Sequence, residues 1–397
     1  MDYDIAIIGA GPSGLSFALS LRNSGLNIAL IEKLSAETLA APEYDGREIA
    51  LTHLSKKLMQ ENGSWQHLDP SEISPLHHAS VINGCSSYVL KFDPPASDSE
   101  PLGFLVSNHC IRRAIYQAVR QHPHISLIDH SQVNDVRTDE NAGYIELDNG
   151  KVITASLIVA ADTRFSNTRR QMGISAEFND YGRSAILCAM EHTKAHQHTA
   201  LECFLYGGTL AALPLNGRKS SIVITLDSSK SKELLNMNEA EFNKEVEQRL
   251  GNKLGAMKQI DKRFHYPLVG VHAKRFFTNR FALIGDAAVG MHPVTAHGFN
   301  LGLSGQDLLA QEIIGAKSSE FWRESVLKRY EQRHMPNTRL LYHGTNTIVG
   351  LFTSEHLPAK LLRTAILRIS NNFPPLKHAI RHKLMNKEHP VARLPLL

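Results

Sequence analysis

The sequence predicts an α/β fold: a parallel sheet wound with helices, a mostly antiparallel sheet inserted into it, and a helical C-terminus. Three observations predict it. The first thirty or so residues alternate β, α, β; from 176 to 267 β-type runs dominate; and after Tyr330 the apolar spacing is helical until Pro374 and Pro375 break it. At 397 residues the chain can bury one large core or two modest ones, and a hydrophobic content of 42% is that of a globular protein.

In chain order, residues 3–8 form a short β-rich apolar run, 13–23 have helical spacing, and 27–31 are apolar again, with Gly25 placed to end the helix. The pattern loosens after Glu32: residues 44–54 read as a loop feeding a helix over 55–61. The stretch 70–101 carries prolines, a glycine and short β-prone pieces such as 87–92, and reads as an insertion. An amphipathic helix is expected over 111–120, then strands over 125–129, 144–147 and 157–161, with the turn signal "DNGK" between the last two. The runs "SAILCAM", "ECFLYGG" and "SSIVITL", interrupted by a helix over 238–250, build the second sheet. A short strand over 281–284 returns to the first domain, and a long helix begins near Asn300. The expected domains are therefore 1–72, 101–175 and 271–344 for the nucleotide-binding body, 73–100 and 176–270 for the substrate domain, and 345–397 for a helical C-terminal segment.

Composition excludes several classes. A net charge of +4, with basic residues dispersed until the C-terminal tail, does not build a nucleic-acid groove. Cys85, Cys110, Cys188 and Cys203 lack the spacing of a redox pair or a zinc site and read as reduced thiols of a cytoplasmic protein. Two acids precede the first apolar run, where a signal peptide carries positive charge, and no apolar stretch is long enough to span a bilayer. "HQH" at 196–198 and "HPH" at 122–124 lack ligand partners at metal-site spacing, so no metal is expected.

Gly9, Gly11 and Gly14, with Pro12 and Ser13 between them, form G-x-G-x-x-G after a strand and at a helix start, where glycine lets a pyrophosphate approach backbone N–H groups. The second strand ends in Glu32, followed by Lys33, where a carboxylate accepts from a ribose diol. That context points to a dinucleotide. The segment "GDAAVGMHPVTAHGFNLGL" at 285–303 favours FAD over NAD. Gly285 and Asp286 follow a strand, where the acid can hold the ribityl chain, and Gly298, Phe299 and Asn300 open a helix whose N–H groups suit the negative charge of a reduced flavin. The plainer alternative is a buried loop entering a helix.

Taken in order, "IIGAGPSGL" at 7–15, "DGREIAL" at 45–51, "VAADTRFSNTRR" at 159–170 and the 285–303 segment resemble the FAD-dependent aromatic hydroxylases of the p-hydroxybenzoate hydroxylase type, in their ubiquinone-biosynthesis branch. The resemblance extends to roughly residue 352 and implies a Rossmann-like FAD-binding domain with an inserted substrate domain. It implies that Glu32 binds the adenosine ribose, that Arg47 contacts the flavin side, and that Asn108 and Arg112 of "SNHCIRRAI" lie along the FAD chain. Asp162 and Asp286 would hold the cofactor's middle, and Pro293 and the loop through Asn300 would line the ring, with His292 and His297 as flavin-face candidates. A solvated loop arginine at 47 and structural histidines at 292 and 297 are the alternatives. Two departures stand out. Ala160 and Thr163 replace glycines of the middle motif, which also serves the nicotinamide donor, and Ala296 and His297 stand where glycine and glutamine are common.

One dinucleotide unit leaves NAD(P)H no domain of its own, so the resemblance implies a donor that reduces the flavin transiently, after which O2 is activated and one oxygen atom passes to an electron-rich ring. The implied substrate is a polyprenylated phenol or quinol, with the demethoxyubiquinol step favoured by "AADTRFS" and "GMHPVTAHGFNLGL". A small soluble phenol, or a non-catalytic flavoprotein subunit, are the competing readings. Leu213 and Pro214, in the strand pair that covers the flavin, are candidate pocket residues, although core packing explains both. The tail from Ala359, "AKLLRTAILRISNNFPPLKHAIRHKLM", mixes basic and apolar residues, suiting an anionic membrane surface, a partner in a ubiquinone-biosynthesis assembly, or a helix packed on the body.

Overall fold

The computed structural model describes residues 1–84, 89–94, 100–205, 207–292, 297–317, 319–353 and 385. Cys85, Pro293, Ala296 and, apart from Met385, the basic tail lie outside the described residues.

The first sheet is built on Tyr3–Ile8, with Ile28–Ile31 and Ile125–Ile128 in parallel on one side and Val152–Ala160 and Phe281–Leu283 in parallel on the other. Ile5, Ile7, Ile28, Leu30, Leu157 and Val159 are all fully buried, as the near-continuous apolar runs of a two-sided parallel sheet require. The helix Pro12–Ser20 packs against Asn108–Val119 and His297–Ile314. Its chain leaves through Gly25, whose φ of 76° suits glycine. The strand expected over 157–161 begins at Val152 instead, because the "DNGK" turn, closed by Gly150 N–H donating to Leu147 O, feeds it directly into a hairpin with Gly143–Leu147.

The second sheet runs in the order Val289–Gly290, Phe264–Ala273, Ala176–His192, Lys219–Asp227, Gly208–Leu215, Thr199–Leu205, His78–Asn83 and Val89–Phe92. The pairing of His78–Asn83 with Thr199–Leu205 is parallel and the others are antiparallel. Part of the 70–101 insertion thus extends this sheet, while Ile73–Leu76 joins a small sheet with Gly103–Ser107 and Glu48–Leu51. One face of the large sheet, carrying Ile186, Cys188, Met190, Leu210, Ile222 and Ile224, is sealed by Leu234, Phe242 and Val246. Those residues come from the helices Ser228–Asn236 and Glu239–Arg249. The first of these helices is absent from the sequence expectation: its serine-rich start reads as a loop, and packing of Leu234 on the sheet decides it. The second is opened by a capping box of Asn238 and Glu241.

The helix expected near Asn300 spans His297–Ile314, and Glu324–Thr353 follows, with Pro336 inside it. Among the described residues no helix is long and apolar enough to cross a membrane. Met385 is buried in an apolar cluster with Leu90, Phe92, Leu102 and Phe204.

Candidate functional site

Three motifs far apart in sequence meet at the ends of the parallel strands. A Cβ on Gly14 would stand 2.0 Å from Gly9 O, and one on Gly9, whose φ is 106°, would stand 2.6 Å from Ala161 O. Gly285, with φ of 59°, and Gly302 approach Ser13 Oγ so closely that added Cβ atoms would lie 2.5 and 2.9 Å from it. The first glycine loop, the 160–163 turn and the start of "GDAA" therefore share one spot. Gly11 differs from these glycines: nothing lies within 4 Å of its added Cβ, and as N-cap of Pro12–Ser20 it brings no side chain to the helix's first N–H groups. Glu32 ends the second strand and accepts from Ala10 N–H at 2.7 Å and Leu34 N–H at 3.0 Å, while Lys33 is exposed.

Asp162 accepts from Thr168 Oγ1 at 3.1 Å through Oδ2, and its buried Oδ1 has no hydrogen-bond partner among the described residues. Open space at Gly11, an uncapped helix start and that unfilled carboxylate oxygen fit an extended dinucleotide with hydroxyl and phosphate groups to be met. Asp286 pairs with Arg164 Nη2 at 2.9 Å, and Arg164 Nη1 donates to Val269 O at 3.0 Å. Beneath them Arg169, 1% exposed, donates to Ala287 O at 2.7 Å and Arg164 O at 3.2 Å, tying the middle motif to "GDAA".

Beside "DGREIAL", Asp45 collects Arg47 Nε at 3.0 Å and Asn108 Nδ2 at 2.8 Å, and Tyr266 donates to its backbone carbonyl at 2.8 Å. Burial raises the Asp45 carboxyl, but the Arg47 and Asn108 contacts outweigh it and hold it below the usual range. Next to it Glu48 goes the other way: burial pushes its carboxyl up to about 7, despite the Ser107 hydroxyl at 2.6 Å. Gly46, with φ of 73°, lets Phe264 approach, since a Cβ there would stand 2.4 Å from the phenyl ring. Arg112 is half-buried on the same helix as Asn108.

Asn300 is consumed by its surroundings. Its Oδ1 accepts from Thr52 N–H at 3.1 Å and Ser55 Oγ at 2.6 Å, and its Nδ2 donates to Ala50 O at 2.9 Å. The side chain thus pins the helix start beside "DGREIAL", leaving the backbone of Gly298 and Phe299 in the first turn, where N–H groups lack partners within the helix. His292 is 3% exposed, sits edge-on to Tyr181 with centroids 4.7 Å apart, and is pushed down to about 4 by burial and by the charge of Arg183.

The face of the large sheet opposite its covering helices carries Phe264, Tyr266, Ala185, Leu187 and Val223, and through Tyr266 and Phe264 it meets the Asp45–Gly46 loop. Strand alternation puts Leu213 on this face, with Ala211 and Thr209. Pro214 shares the opposite face with Leu210 and Ala212, so the two candidates do not line one side of the sheet together.

Residues 2–342 match the FAD-binding-domain family. The chain is 50% identical over 387 residues to ubiquinone hydroxylase UbiM of Neisseria meningitidis, covering 96% of this chain and 84% of that protein. It belongs to the FAD-binding monooxygenases. To ubiquinone hydroxylase UbiL of Rhodospirillum rubrum this monooxygenase is 32% identical, over 96% of its own length and 89% of the relative. Its fold matches the crystal structure of p-nitrophenol 4-monooxygenase PnpA from Pseudomonas putida with a TM-score of 0.77, at 17% identity, covering 98% and 99% of the two chains.

Two features of the monooxygenase escaped the sequence reading. The Arg164–Asp286 pair joins residues 122 positions apart, and nothing local marks it. Glu202 lay inside a run read simply as a strand; a lone acid in an otherwise apolar "ECFLYGG" was the available signal.

Proposed function

We propose that this FAD-dependent monooxygenase uses NAD(P)H and O2 to hydroxylate the ring of a polyprenylated phenol or quinol intermediate of ubiquinone biosynthesis. The observation that carries the substrate is the extended likeness to a ubiquinone hydroxylase; the demethoxyubiquinol step is the first ring position to test. On this reading residues 1–72, 101–175 and 271–344 hold the cofactor, 73–100 and 176–270 face the substrate, and 345–397 form the C-terminal segment.

When bound, FAD supplies the redox chemistry that splits O2, one atom going to the ring and the other to water. The chain's own residues bind, orient and exclude. Gly11 and the uncapped helix at Pro12 would receive the pyrophosphate, Glu32 the adenosine ribose, Asp162 and Asp286 the hydroxyls and phosphates between, and the Asp45–Arg47–Asn108 knot the ring side. To meet a ribityl hydroxyl, Asp286 must share its carboxylate with Arg164. The backbone of Gly298 and Phe299 offers N–H groups where negative charge gathers on the ring. Leu187, Val223, Ala211 and Leu213 give the substrate side a largely apolar lining that excludes water. The basic tail would hold the enzyme at the anionic membrane surface where polyprenyl substrates reside.

The test is twofold. Purified protein should show flavin absorption near about 370 and about 450 nm. It should also consume NAD(P)H and O2 in step with a hydroxylated polyprenyl product, and a strain lacking it should accumulate the unhydroxylated precursor. Turnover of small soluble phenols with no activity on prenylated ones would overturn the substrate.

A further inference from the structure

Paired residues on the substrate-side face form a continuous cross-strand row: Phe264, Leu187, Val223, Ala211, Glu202, Val81 and Leu90. Six of the seven are apolar. One end of the row packs on the Asp45–Gly46 loop at the flavin's ring side. Glu202 stands between Ala211 and Val81. Thr209 is the polar side chain beside it. The Oε1 atom is shut off from solvent and has no hydrogen-bond partner among the described residues. Burial pushes the carboxyl up to about 8, so at neutral pH it is largely protonated and offers both a donor and an acceptor.

A carboxyl left half-satisfied in an apolar row costs stability that a leucine in the same place would not. It has no bearing on cofactor binding, since the dinucleotide motifs converge at the ends of the parallel sheet instead. What the face does hold, on the function proposed above, is an aromatic ring bearing oxygen. We propose that Glu202 hydrogen-bonds a ring hydroxyl of the substrate and thereby selects which ring carbon is turned towards the flavin. Thr209 apart, the neighbours on either side are apolar and give the ring little competing polar contact, so one directional bond fixes its rotation in the pocket.

The test compares FAD-loaded wild type with Glu202→Gln and Glu202→Leu. The probes are a short-chain 2-prenylphenol and its methyl ether, which lacks the hydroxyl donor. Ligand-induced thermal shift and perturbation of the flavin spectrum report binding without turnover; KM, kcat and the position of the new hydroxyl report placement. In Glu202→Leu the phenol should bind on the order of ten- to a hundredfold more weakly, its preference over the ether should vanish, and product should scatter over ring positions or give way to uncoupled NAD(P)H oxidation. Glu202→Gln keeps a donor and an acceptor and should stay within about threefold of wild type in KM. Both variants should retain FAD, and without ligand neither should melt below wild type, Glu202→Leu if anything melting higher, which separates the role from a structural one. If Glu202→Leu binds the phenol and places the hydroxyl as wild type does, the anchor is wrong while the substrate reading stands. If wild type neither binds nor hydroxylates the prenylphenol, the substrate reading falls and the anchor with it.

Discussion

The two ends of the proposed FAD site are built on different principles. At the adenylate end the backbone decides: Gly9, Gly14 and Gly285 are required because a methyl group there would collide with main-chain or Ser13 atoms, whatever the neighbouring side chains do. At the proposed ring end side chains decide: Asp45, Arg47, Asn108 and Tyr266 reach from three elements to hold one loop, and Asn300 pins the stretch after it through Ala50, Thr52 and Ser55. A steric requirement is all-or-none, whereas a side-chain network degrades one bond at a time. Substitutions at the first end should therefore abolish, and at the second end attenuate.

The largest effect is expected at Gly14. Its Cβ would fall 2.0 Å from Gly9 O, so Gly14→Ala must push strand and helix apart, and the protein should purify colourless or not at all. Gly11→Ala sharpens the comparison. The site has no protein atom within 4 Å of the new methyl, so the apoprotein should melt as wild type does while FAD affinity, by fluorescence titration, falls at least tenfold. Equal melting and equal affinity would show that no pyrophosphate approaches Gly11.

Arg169 belongs to neither principle alone, being a side chain that braces backbone. Arg169→Met leaves the carbonyls of Ala287 and Arg164 unsatisfied in a buried place and should cost about 3 kcal/mol, read by chemical denaturation. A loss below about 1 kcal/mol would mean that the 160–163 turn and "GDAA" hold together without it.

A pH-dependent loss of similar size is expected where Glu324–Thr353 meets the large sheet. His272 is 3% exposed, bonded to Ala273 O at 2.9 Å and Thr338 Oγ1 at 3.2 Å, and burial pushes it down to about 4. The unfolded chain, titrating near 6.5, binds a proton that the folded chain refuses, so stability is intact above pH 6.5 and is lost as pH falls towards 4. The loss should reach on the order of 3 kcal/mol at the acid end. In His272→Asn the decline of melting temperature between pH 6.5 and 4 should flatten; an unchanged slope would assign it to other groups.

The same division explains what was legible in the sequence. The glycine turn was readable because a steric requirement writes itself as glycine at fixed spacing, and the place of Glu32 follows from the length of one β-α-β unit. The large sheet was readable from β-prone runs, and 73–100 was grouped with it, but the way that piece joins was not: His78–Asn83 and Val89–Phe92 attach through a parallel pairing to Thr199–Leu205, which leaves no local mark. The Ser228–Asn236 helix exists because Leu234 and its neighbours cover the sheet, a tertiary fact. Around the 45–47 loop, resemblance singled out Arg47 and Asn108, while the residue both contact, Asp45, was passed over because an acid in a loop looks solvated until Tyr266 and Asn108 arrive from elsewhere.

The smallest stability effect should come from Arg47, and it separates the two principles most cleanly. Its side chain is 47% exposed, and its pair with Asp45 at 2.5 Å is partly in water, so Arg47→Ala should change stability by less than about 1 kcal/mol. Asp45 would still be held by the Asn108 amide and, at its backbone, by Tyr266, so the loop should keep its shape. Flavin binding is another matter, because a fixed cation beside the ring side favours an electron-rich cofactor over its oxidised form. Arg47→Ala should therefore retain FAD but lower the reduction potential and slow NAD(P)H-driven reduction, measured by anaerobic titration and stopped flow. If potential and reduction rate stay at wild-type values, Arg47 is a solvated loop residue, and the ring end rests on Asn300 and the helix start it pins.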